Sequence, residues 1–318
     1  MGSHRIALPL LDFLSDSSLF QLTGVVSQPD RRSGRGQRIS SNAVVAWANQ
    51  HGVPVNCPAK PSAETVDWMK NQGCDLILVM AYGHILGKSI RELPPLGIYN
   101  LHASLLPRFR GAAPIEAAIA SGENYTGVSL MEVVKAMDAG DVFDTRSVAI
   151  ESEDNSATIV DKLSYVARDL IKDNGQRLCN QSLTRFPQDI EKVTYCRKIE
   201  REDSFLDFNQ PAKVLVDRIR ALTPKPGCVI TVQGQNYKIE SYEWIENVDL
   251  TPGTIFNGKH LCVACGNHEA IIIRKIQKPN GKMLPADLFL NGDRVLLQTG
   301  KVDPWRPMKT FESKSFPF

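Results

Sequence analysis

The sequence predicts an α/β protein in which helices cover a mostly parallel sheet, followed by a smaller β-rich region. Two observations carry this prediction. Up to about residue 185, short apolar runs alternate with amphipathic helical patterns, which is typical of a parallel sheet with helices on its faces. After Pro187, short alternating runs are separated by Gly and Asn turns, which is typical of a small antiparallel barrel.

The elements of the first region follow from these runs. Strands are predicted at residues 23–27, 54–56, 75–80, 97–102, 127–133 and 142–150. Helices are predicted at residues 42–50, 62–71, 114–120 and 157 to about 179. One face of the longest helix should pack on the sheet, because its apolar residues recur near helical spacing: Ile159, Leu163, Val166, Leu170 and Ile171.

The second region begins with a polar stretch, residues 188–204, which reads as a linker because it holds few large apolar side chains. A helix at 211–222 should end at the Pro and Gly residues of 223–227. Strands are predicted at 229–232, 237–244, 261–265, 270–276 and 283–290. We therefore expect one domain at residues 1–187, a linker at 188–206, and a C-terminal domain with its tail at 207–318.

Composition narrows the class of protein. A length of 318 residues with 42% hydrophobic content suffices for two packed domains. The seven cysteines are odd in number and scattered, which favours a reducing cytoplasm over a disulfide framework. The sequence has neither an apolar run of about 20 residues nor a signal-peptide pattern, so we expect neither a membrane protein nor a secreted one. Because the net charge is only +2, any basic surface must be a local patch.

Three polar residues form the candidate catalytic site. Asn100 and His102 are alternate residues of one predicted strand, so their side chains should face one pocket. Asp138 follows the next predicted strand, and ligands of parallel sheets bind beyond the carboxyl ends of the strands. An amide donor beside an imidazole suits attack on a carbonyl-type carbon, and Asp138 can orient the imidazole and stabilise its charge. A lone histidine can equally be a structural residue.

Around these residues the chain resembles the folate-dependent formyltransferases. The resemblance rests on residues 100–107 (NLHASLLP), 110–115 (RGAAPI), 126–131 (TGVSLM) and 138–141 (DAGD). Two further segments match the family members that act on a charged tRNA: residues 28–37 (QPDRRSGRGQ) and 219–224 (IRALTP). The resemblance covers nearly the whole chain. It implies a Rossmann-like formyltransferase domain with a mostly parallel sheet and a C-terminal OB-like β-barrel domain.

The resemblance also implies a reaction. The formyl group of 10-formyltetrahydrofolate would pass directly to the α-amino group of initiator methionyl-tRNA, without a metal. His102 would take the proton from the attacking amine, Asn100 would donate to the oxyanion, and Asp138 would position His102. The implied folate-binding residues are Met80, Ala81, Tyr82, Gly83, Ile85, Leu86, Ser104, Leu105, Leu106, Pro107, Ala136, Met137, Ala139, Gly140 and Asp141. Gly83 and Gly140 would let the backbone approach the ligand, although Tyr82-Gly83 also fits an ordinary turn.

Two sets of basic residues are candidates for contact with tRNA. The first is Arg31, Arg32, Arg35 and Arg38, which the sequence places in a basic loop, because a helix or strand is not expected there. The second is Lys213, Arg218, Arg220 and Lys225, which could contact phosphates. Both sets are equally consistent with solvated surface. We expect a monomer.

Other functions stay open. The chain could be another formyltransferase or hydrolase that uses 10-formyltetrahydrofolate, or an inactive RNA-binding relative. The arginine segment and the C-terminal region argue against the former, and the intact Asn100, His102 and Asp138 argue against the latter. Cys262 and Cys265 have zinc-knuckle spacing, but no second cysteine pair follows, so a structural strand is preferred.

The first residues depart from the family pattern. Residues 1–11 match the loop and helix that follow the first strand in the family, and that strand lies inside a doubly wound sheet. Without it, two neighbouring strands would carry unpaired backbone groups. We therefore expect either a start further upstream or a compromised fold, and we expect an apolar, β-branched extension to stabilise the protein.

Overall fold

The computed structural model describes residues 1–33, 38–292 and 295–304. Up to residue 180 its elements are a 3-10 helix (Arg5–Ala7), α1 (Leu8–Asp16), β1 (Val25–Val26), β2 (Arg31–Ser33), β3 (Arg38–Ser40), α2 (Ala43–Gln50), β4 (Val55–Asn56), α3 (Ala63–Asn71), β5 (Ile77–Val79), α4 (Lys88–Arg91), β6 (Ile98–His102), β7 (Arg110–Gly111), α5 (Pro114–Ala120), β8 (Tyr125–Glu132), β9 (Val142–Ala149) and α6 (Ser156–Cys179). The strands and helices predicted for this region are confirmed to within a few residues at each end.

The remaining elements begin with two 3-10 helices, Ile190–Lys192 and Arg201–Ser204, on either side of β10 (Tyr195–Cys196). They continue with α7 (Ala212–Leu222), β11 (Cys228–Val232), β12 (Gln235–Glu240), β13 (Glu243–Ile245), β14 (Ile255–Asn257), β15 (Leu261–Cys265), β16 (Glu269–Ile272), β17 (Lys275–Gln277), β18 (Leu284–Pro285), α8 (Ala286–Gly292) and α9 (Val295–Thr299). The expected linker therefore contains secondary structure of its own.

The described chain divides into two compact units. The first unit comprises Met1–Ala112, Thr126–Val148 and Val160–Tyr195. The second comprises Ala113–Tyr125, Ala149–Ile159 and the described residues from Cys196 onward. Helix α5 belongs to the second unit because it packs against α7. The compact units are therefore interleaved along the sequence, and the domain boundaries expected at residues 187 and 206 stay a proposal.

The sheet that carries the candidate site has the strand order β5-β6-β8-β9. Strands β5 and β6 are parallel, with Val79 opposite Asn100. Strand β8 runs antiparallel to β6, with Ser129 opposite His102. This strand is an antiparallel member of a sheet predicted to be mostly parallel, and the sequence did not indicate its direction because a strand buried on both faces shows the same apolar run in either direction. Strands β1 and β4 form a separate parallel pair.

The first three residues lie between β1 and β5. Backbone hydrogen bonds join them to both strands: Gly2 N to Val26 O (3.1 Å), Met80 N to Met1 O (2.9 Å), Ser3 N to Ala81 O (3.2 Å) and the Met1 ammonium to Leu78 O (2.5 Å). The position expected to be empty is thus partly filled. Beyond Met1 the groove continues as a cavity of about 370 Å³, whose lining includes Leu14, Val25, Trp68 and Ile77.

Helix α6 buries the predicted face. Ile159, Leu163, Leu170 and Ile171 are fully buried, while Val166 is half-buried. Of the helices in the described ranges, none combines the length and apolar character needed to cross a membrane.

The second unit contains two four-stranded antiparallel sheets, ordered β11-β12-β17-β18 and β13-β16-β15-β14. Apolar residues of both sheets and of α7 share one core, which includes Leu215, Ile219, Ile230, Val263 and Ile271. Among the described strands, no backbone pairing joins the two sheets into a closed barrel. The arrangement is consistent with an OB-like domain.

Three strand predictions for the second unit need correction. The strands expected at 237–244 and 270–276 are each broken in two, and each half pairs in a different sheet. Such corners let a chain pass between packed sheets. The strand expected at 283–290 is mostly α8, in which Ala286, Phe289 and Leu290 are buried at helical spacing.

Candidate active site

Strand β6 places two reactive side chains on one face. Asn100 and His102 are alternate residues of this strand, as predicted. His102 is buried, with 6% of its surface exposed, whereas Asn100 is half-buried. Within the described ranges the Asn100 side chain has no hydrogen-bond partner, so its amide is available to a ligand.

Both ring nitrogens of His102 face oxygen atoms. Nε2 lies 2.9 Å from the carbonyl oxygen of Phe109, and because a carbonyl only accepts, Nε2 carries the proton of this bond. Nδ1 lies 3.7 Å from Oδ2 of Asp138, which is too far for a direct hydrogen bond. In the neutral ring, Nδ1 therefore holds the free lone pair. A proton taken by His102 must arrive at Nδ1, where Asp138 can stabilise the resulting charge.

Asp138 reaches His102 by a different route from the one expected. Since β8 is antiparallel to β6, the loop after β8 leaves the sheet beside Ile98, where Val133 N donates to Ile98 O (3.2 Å). This is the opposite end of β6 from His102, so the loop folds back to bring Asp138 to the ring. Asp138 Oδ2 also accepts from Gly111 N at 2.8 Å.

Sequence reasoning missed a stretch of chain that contacts both sides of the His102 site. We name residues 186–194 the clamp segment. Gln188 Nε2 donates to Asp138 O (2.8 Å) and Gly140 O (2.7 Å), and its Oε1 accepts from Arg110 Nε (3.0 Å) and Nη2 (2.8 Å). Thr194 Oγ1 accepts from Phe109 N (2.8 Å). No local pattern marks these residues, because their partners lie about 50 to 85 positions away in the chain.

The residues implied in folate binding differ in accessibility. Met80, Tyr82 and Leu86 are buried, and Ser104 is fully buried, with its hydroxyl donating to Arg108 O. The exposed residues are Ala81, Gly83, Ile85, Ala136 and Met137, and the half-buried ones are Leu105, Leu106, Pro107, Ala139 and Asp141. Gly140 does not open the backbone to a ligand: a Cβ there would lie 2.1 Å from Glu132 O, so glycine is needed to close the turn between β8 and β9.

An apolar ligand with polar edges fits these segments. Ile85 and Met137 are 83% and 59% exposed, so their apolar surfaces are accessible to a ligand. The buried Tyr82 hydroxyl has no hydrogen-bond partner within the described ranges. Burial, with a smaller contribution from Cys57, raises the pKa of Tyr82 to about 12, so the hydroxyl stays a donor. A folate combines flat apolar rings with polar edges and matches this environment.

The described residues of the expected basic loop form two paired strands. Strands β2 and β3 pair antiparallel, with Arg32 opposite Ile39, so Arg31, Arg32 and Arg38 are strand residues. Ile39 is the one apolar residue of these two strands, so they show no apolar alternation and the sequence pattern did not indicate strands. Arg35 lies outside the described residues.

The basic residues of α7 and its C-terminal end have different roles. Arg220 is 7% exposed and donates to Glu151 O (2.7 Å), Ser152 O (3.1 Å), Asp154 O (3.1 Å) and Asp217 Oδ1 (2.8 Å). Arg218 is half-buried and donates to Asp203 O, and burial lowers its pKa. The buried Arg220 guanidinium does not suit phosphate contact, so Arg220 is wrong as a tRNA-binding residue, whereas Arg218 stays a prediction. Lys213 and Lys225 are exposed.

Cys262 and Cys265 lie in β15 and point to opposite faces of the sheet. Cys262 packs with Ala264 and Ala270, while Cys265 belongs to the core shared with α7. Both are buried, and burial raises the pKa of Cys265 to about 12. Two thiols on opposite faces cannot share one metal ion, so the structural interpretation is the better one.

The fold and site together define an α/β protein whose amide, imidazole and carboxylate suit acyl-type transfer. The formyl transferase family model matches residues 2–173, and the model of the formyl transferase C-terminal domain matches residues 198–294. The chain is 37% identical over 306 residues to the methionyl-tRNA formyltransferase of Latilactobacillus sakei subsp. sakei (strain 23K), covering 95% of this chain and 96% of that protein. It is 38% identical over 304 residues to the methionyl-tRNA formyltransferase of Burkholderia ambifaria (strain AMMD), covering 92% of each.

Solved structures share the fold at low identity. HypX from Aquifex aeolicus, in complex with tetrahydrofolic acid, matches with a TM-score of 0.58 and 19% identity, over 82% of this chain and 46% of that chain. An N-formyltransferase from Helicobacter canadensis, in complex with folinic acid and dTDP-3-aminofucose, matches with a TM-score of 0.63 and 17% identity, over 87% and 97%. The chain belongs to the formyl transferase family.

Proposed function

We propose that this protein transfers the formyl group of 10-formyltetrahydrofolate to the α-amino group of initiator methionyl-tRNA, for translation initiation. The observation that carries the proposal is the site on β6, where a free Asn100 amide lies on the same face as a His102 ring whose Nδ1 faces a carboxylate. The methionyl-tRNA formyltransferases to which the chain is similar over nearly their whole length support the choice of substrate.

Each catalytic residue has a defined role in this proposal. Bound 10-formyltetrahydrofolate supplies the formyl group. His102 Nδ1 accepts the proton that the attacking amine must lose, and Asp138 stabilises the imidazolium that forms. As the bond between the formyl carbon and the folate nitrogen breaks, this proton passes to that nitrogen, and tetrahydrofolate leaves. The Asn100 amide donates to the oxygen that becomes negative as the amine attacks. The hydrogen bond from His102 Nε2 to Phe109 O keeps the other nitrogen directed at the reaction.

Substrate binding is assigned from accessibility. Folate is held by the exposed and half-buried residues of the segments that contain Ile85, Leu106 and Met137, while buried Met80, Ser104 and Gly140 shape those segments from behind. Charged tRNA is bound by the arginines of the β2–β3 hairpin segment, together with the exposed Lys213 and Lys225. A cytoplasmic monomer with a catalytic domain, a linker and an OB-like tRNA-binding domain completes the proposal.

A three-arm assay tests this function. The purified protein is incubated with 10-formyltetrahydrofolate and either initiator methionyl-tRNA, a small amino sugar or no acceptor. The products measured are formyl-methionine, the N-formylated sugar and free formate. We expect formyl-methionine on the tRNA only. Transfer to the small amine would instead support a small-molecule formyltransferase, formate release without acceptor would support a hydrolase, and tRNA binding without any product would support an inactive relative.

A further inference from the structure

The two residues that face the ring nitrogens of His102 share an uncommon backbone. Phe109 presents its carbonyl oxygen to Nε2, and Asp138 presents its carboxylate to Nδ1. Phe109 has a φ of 59° and Asp138 a φ of 50°. This left-handed conformation is costly for a bulky residue such as Phe109 and more tolerable for Asp138, and in both turns surrounding contacts stabilise it. The orientation of His102 therefore depends on whatever stabilises these two turns.

The clamp segment contacts both turns. Gln188 donates to the carbonyl of Asp138, and Thr194 accepts from the amide of Phe109. Main-chain bonds fix the two ends of the segment: Phe186 exchanges hydrogen bonds with Val142 (2.9 Å each), and Thr194 O accepts from Arg110 N (2.9 Å). The segment is thus anchored at both ends and reaches the two turns from the same stretch of chain.

Gln188 links the two sides most directly. Its amide nitrogen bonds the Asp138 turn at two carbonyls, and its amide oxygen accepts two bonds from Arg110, the residue after Phe109. Arg110 is 6% exposed, so water cannot easily replace Gln188 Oε1 as the acceptor for the Arg110 guanidinium. A glutamine supplies a donor and an acceptor at once, which neither glutamate nor alanine does.

We infer that Gln188 is a positioning residue for formyl transfer, acting through Asp138 and Arg110, and that Thr194 has the same role through Phe109. The inference rests on the proposed function. In this role, Gln188 and Thr194 touch neither substrate. They keep Phe109 O at Nε2 of His102 and Asp138 at Nδ1, so that the base nitrogen faces the amine and its charge is stabilised. Residues that orient metal ligands from behind contribute roughly 10- to 100-fold to activity, and we expect an effect of similar size for residues that orient a catalytic base.

Matched variants separate positioning from general stability. Gln188→Ala removes all four bonds, whereas Gln188→Glu keeps the acceptor for Arg110 and removes the donor to Asp138. Thr194→Val removes the hydroxyl at nearly constant volume, and Thr194→Ser restores it. The control is Gln181→Ala, because Gln181 Nε2 donates to Pro95 O at 2.7 Å in the same unit but away from His102.

Two readouts decide the question. We expect kcat to fall by roughly 10- to 100-fold in both Gln188 variants and by roughly 10-fold in Thr194→Val, with KM for each substrate unchanged. Thr194→Ser and Gln181→Ala should keep the wild-type kcat. In ¹⁵N NMR of the ring nitrogens, we expect one fixed His102 tautomer in the wild type and in Gln181→Ala, and exchange between tautomers in Gln188→Ala.

The inference is overturned by either of two results. One is an unchanged His102 spectrum and kcat in Gln188→Ala. The other is a loss in Gln181→Ala equal to that in Gln188→Ala, which would mean a structural role only. Failure of the proposed function is distinguishable, because it would abolish formyl transfer in the wild type while the NMR comparison of His102 could still be made.

Discussion

At the scale of single residues, the two nitrogens of His102 are not equivalent. The bond from Nε2 to Phe109 O assigns the proton in the neutral ring, and the carboxylate of Asp138 faces the nitrogen that remains. The same face of β6 presents the Asn100 amide. General-base and oxyanion contributions can therefore be tested separately, because the two side chains share a strand but not a hydrogen bond.

Replacing Asn100 by alanine should lower turnover by a factor on the order of 100 or more, because the developing oxyanion loses its donor. His102→Ala should have an effect of similar size through loss of the base. The measurements are kcat for formylation of methionyl-tRNA and the thermal midpoint of each variant. The exposed Asn49→Ala on α2 is the control for removing an asparagine. Near-normal turnover in Asn100→Ala or His102→Ala would show that the site is misassigned.

The sequence correctly predicted which candidate catalytic residues lie close together, but not the path of the chain that brings them together. Strand alternation correctly placed Asn100 and His102 on one face. Asp138 was expected at the same edge of a parallel sheet, yet it reaches His102 through a loop that folds back from an antiparallel strand. Gln188 and Thr194 were not predicted, because a hydrogen bond between distant segments leaves no local pattern in either.

At the scale of elements, helix α7 organises its own unit through one buried arginine. Arg220 donates to three carbonyls of residues 151–154 and forms an ion pair with Asp217, one turn earlier in the helix. These carbonyls lie in the turn between β9 and α6, outside any helix or strand. Arg220 therefore replaces the secondary structure that this segment lacks.

Arg220→Ala should destabilise the protein by about 3 kcal/mol, because it removes donors from three carbonyls and leaves buried Asp217 with Lys213 as its one remaining charged partner among the described residues. Urea denaturation measures the effect. Lys225→Ala, at an exposed position after the same helix, should leave the free energy of unfolding within about 0.5 kcal/mol of wild type. Equal effects of the two substitutions would contradict the structural role of Arg220.

The β2–β3 hairpin gives a second prediction at this scale. Arg35→Ala should raise KM for methionyl-tRNA and leave folate binding unchanged, because removing a phosphate contact weakens binding of the nucleic acid alone. Folate binding is followed by fluorescence titration, and KM for tRNA is measured at two salt concentrations. A loss with both ligands would mean that the arginine supports the site structurally.

Elements with strong apolar periodicity were predictable, and the exceptions have physical causes. Helix α6 packs the face that its apolar spacing indicated. Strands β2 and β3 hold a single apolar residue, Ile39, so they show no apolar alternation. Strands β12–β13 and β16–β17 each read as one strand because a corner between two sheets does not interrupt alternation. A strand was predicted in place of helix α8 because the segment from Leu284 to Leu290 is too short to distinguish helical from strand periodicity.

At the scale of the whole molecule, the most unusual packing is around the first residues. Met1 to Ser3 hydrogen-bond to both neighbouring strands, and the Met1 ammonium is buried where the groove continues. The carbonyl of Leu78 points into this groove, so the amide of the same residue points there too and is placed to donate to a further strand residue. The groove offers backbone pairing and apolar walls together.

In a chain that starts at Met1, burial of the terminal ammonium makes stability depend on pH. Desolvation lowers the pKa of the Met1 amine from 8.0 to about 6, with a smaller opposing contribution from Cys74. The folded state therefore binds fewer protons than the unfolded state between about pH 6 and 8. The free energy of unfolding should rise across this range by on the order of 2–3 kcal/mol, with the full cost present below pH 6 and none above pH 8.

Joining a short run of Val and Ile to Met1 should remove this pH dependence and raise stability, because it replaces the ammonium by a peptide group and lets apolar side chains fill the groove, each contributing roughly 1.5–3 kcal/mol. A Gly-Ser extension of equal length is the matched control: it also replaces the ammonium but supplies no apolar side chains. Urea denaturation of the three proteins from pH 5.5 to 8.5 separates the two effects. Both extensions should abolish the change in the free energy of unfolding between pH 6 and 8. Only the Val and Ile extension should raise the constant free energy of unfolding that is reached above pH 8. Equal free energies of unfolding above pH 8 for the two extensions would show that the groove beside Met1 does not accept another strand.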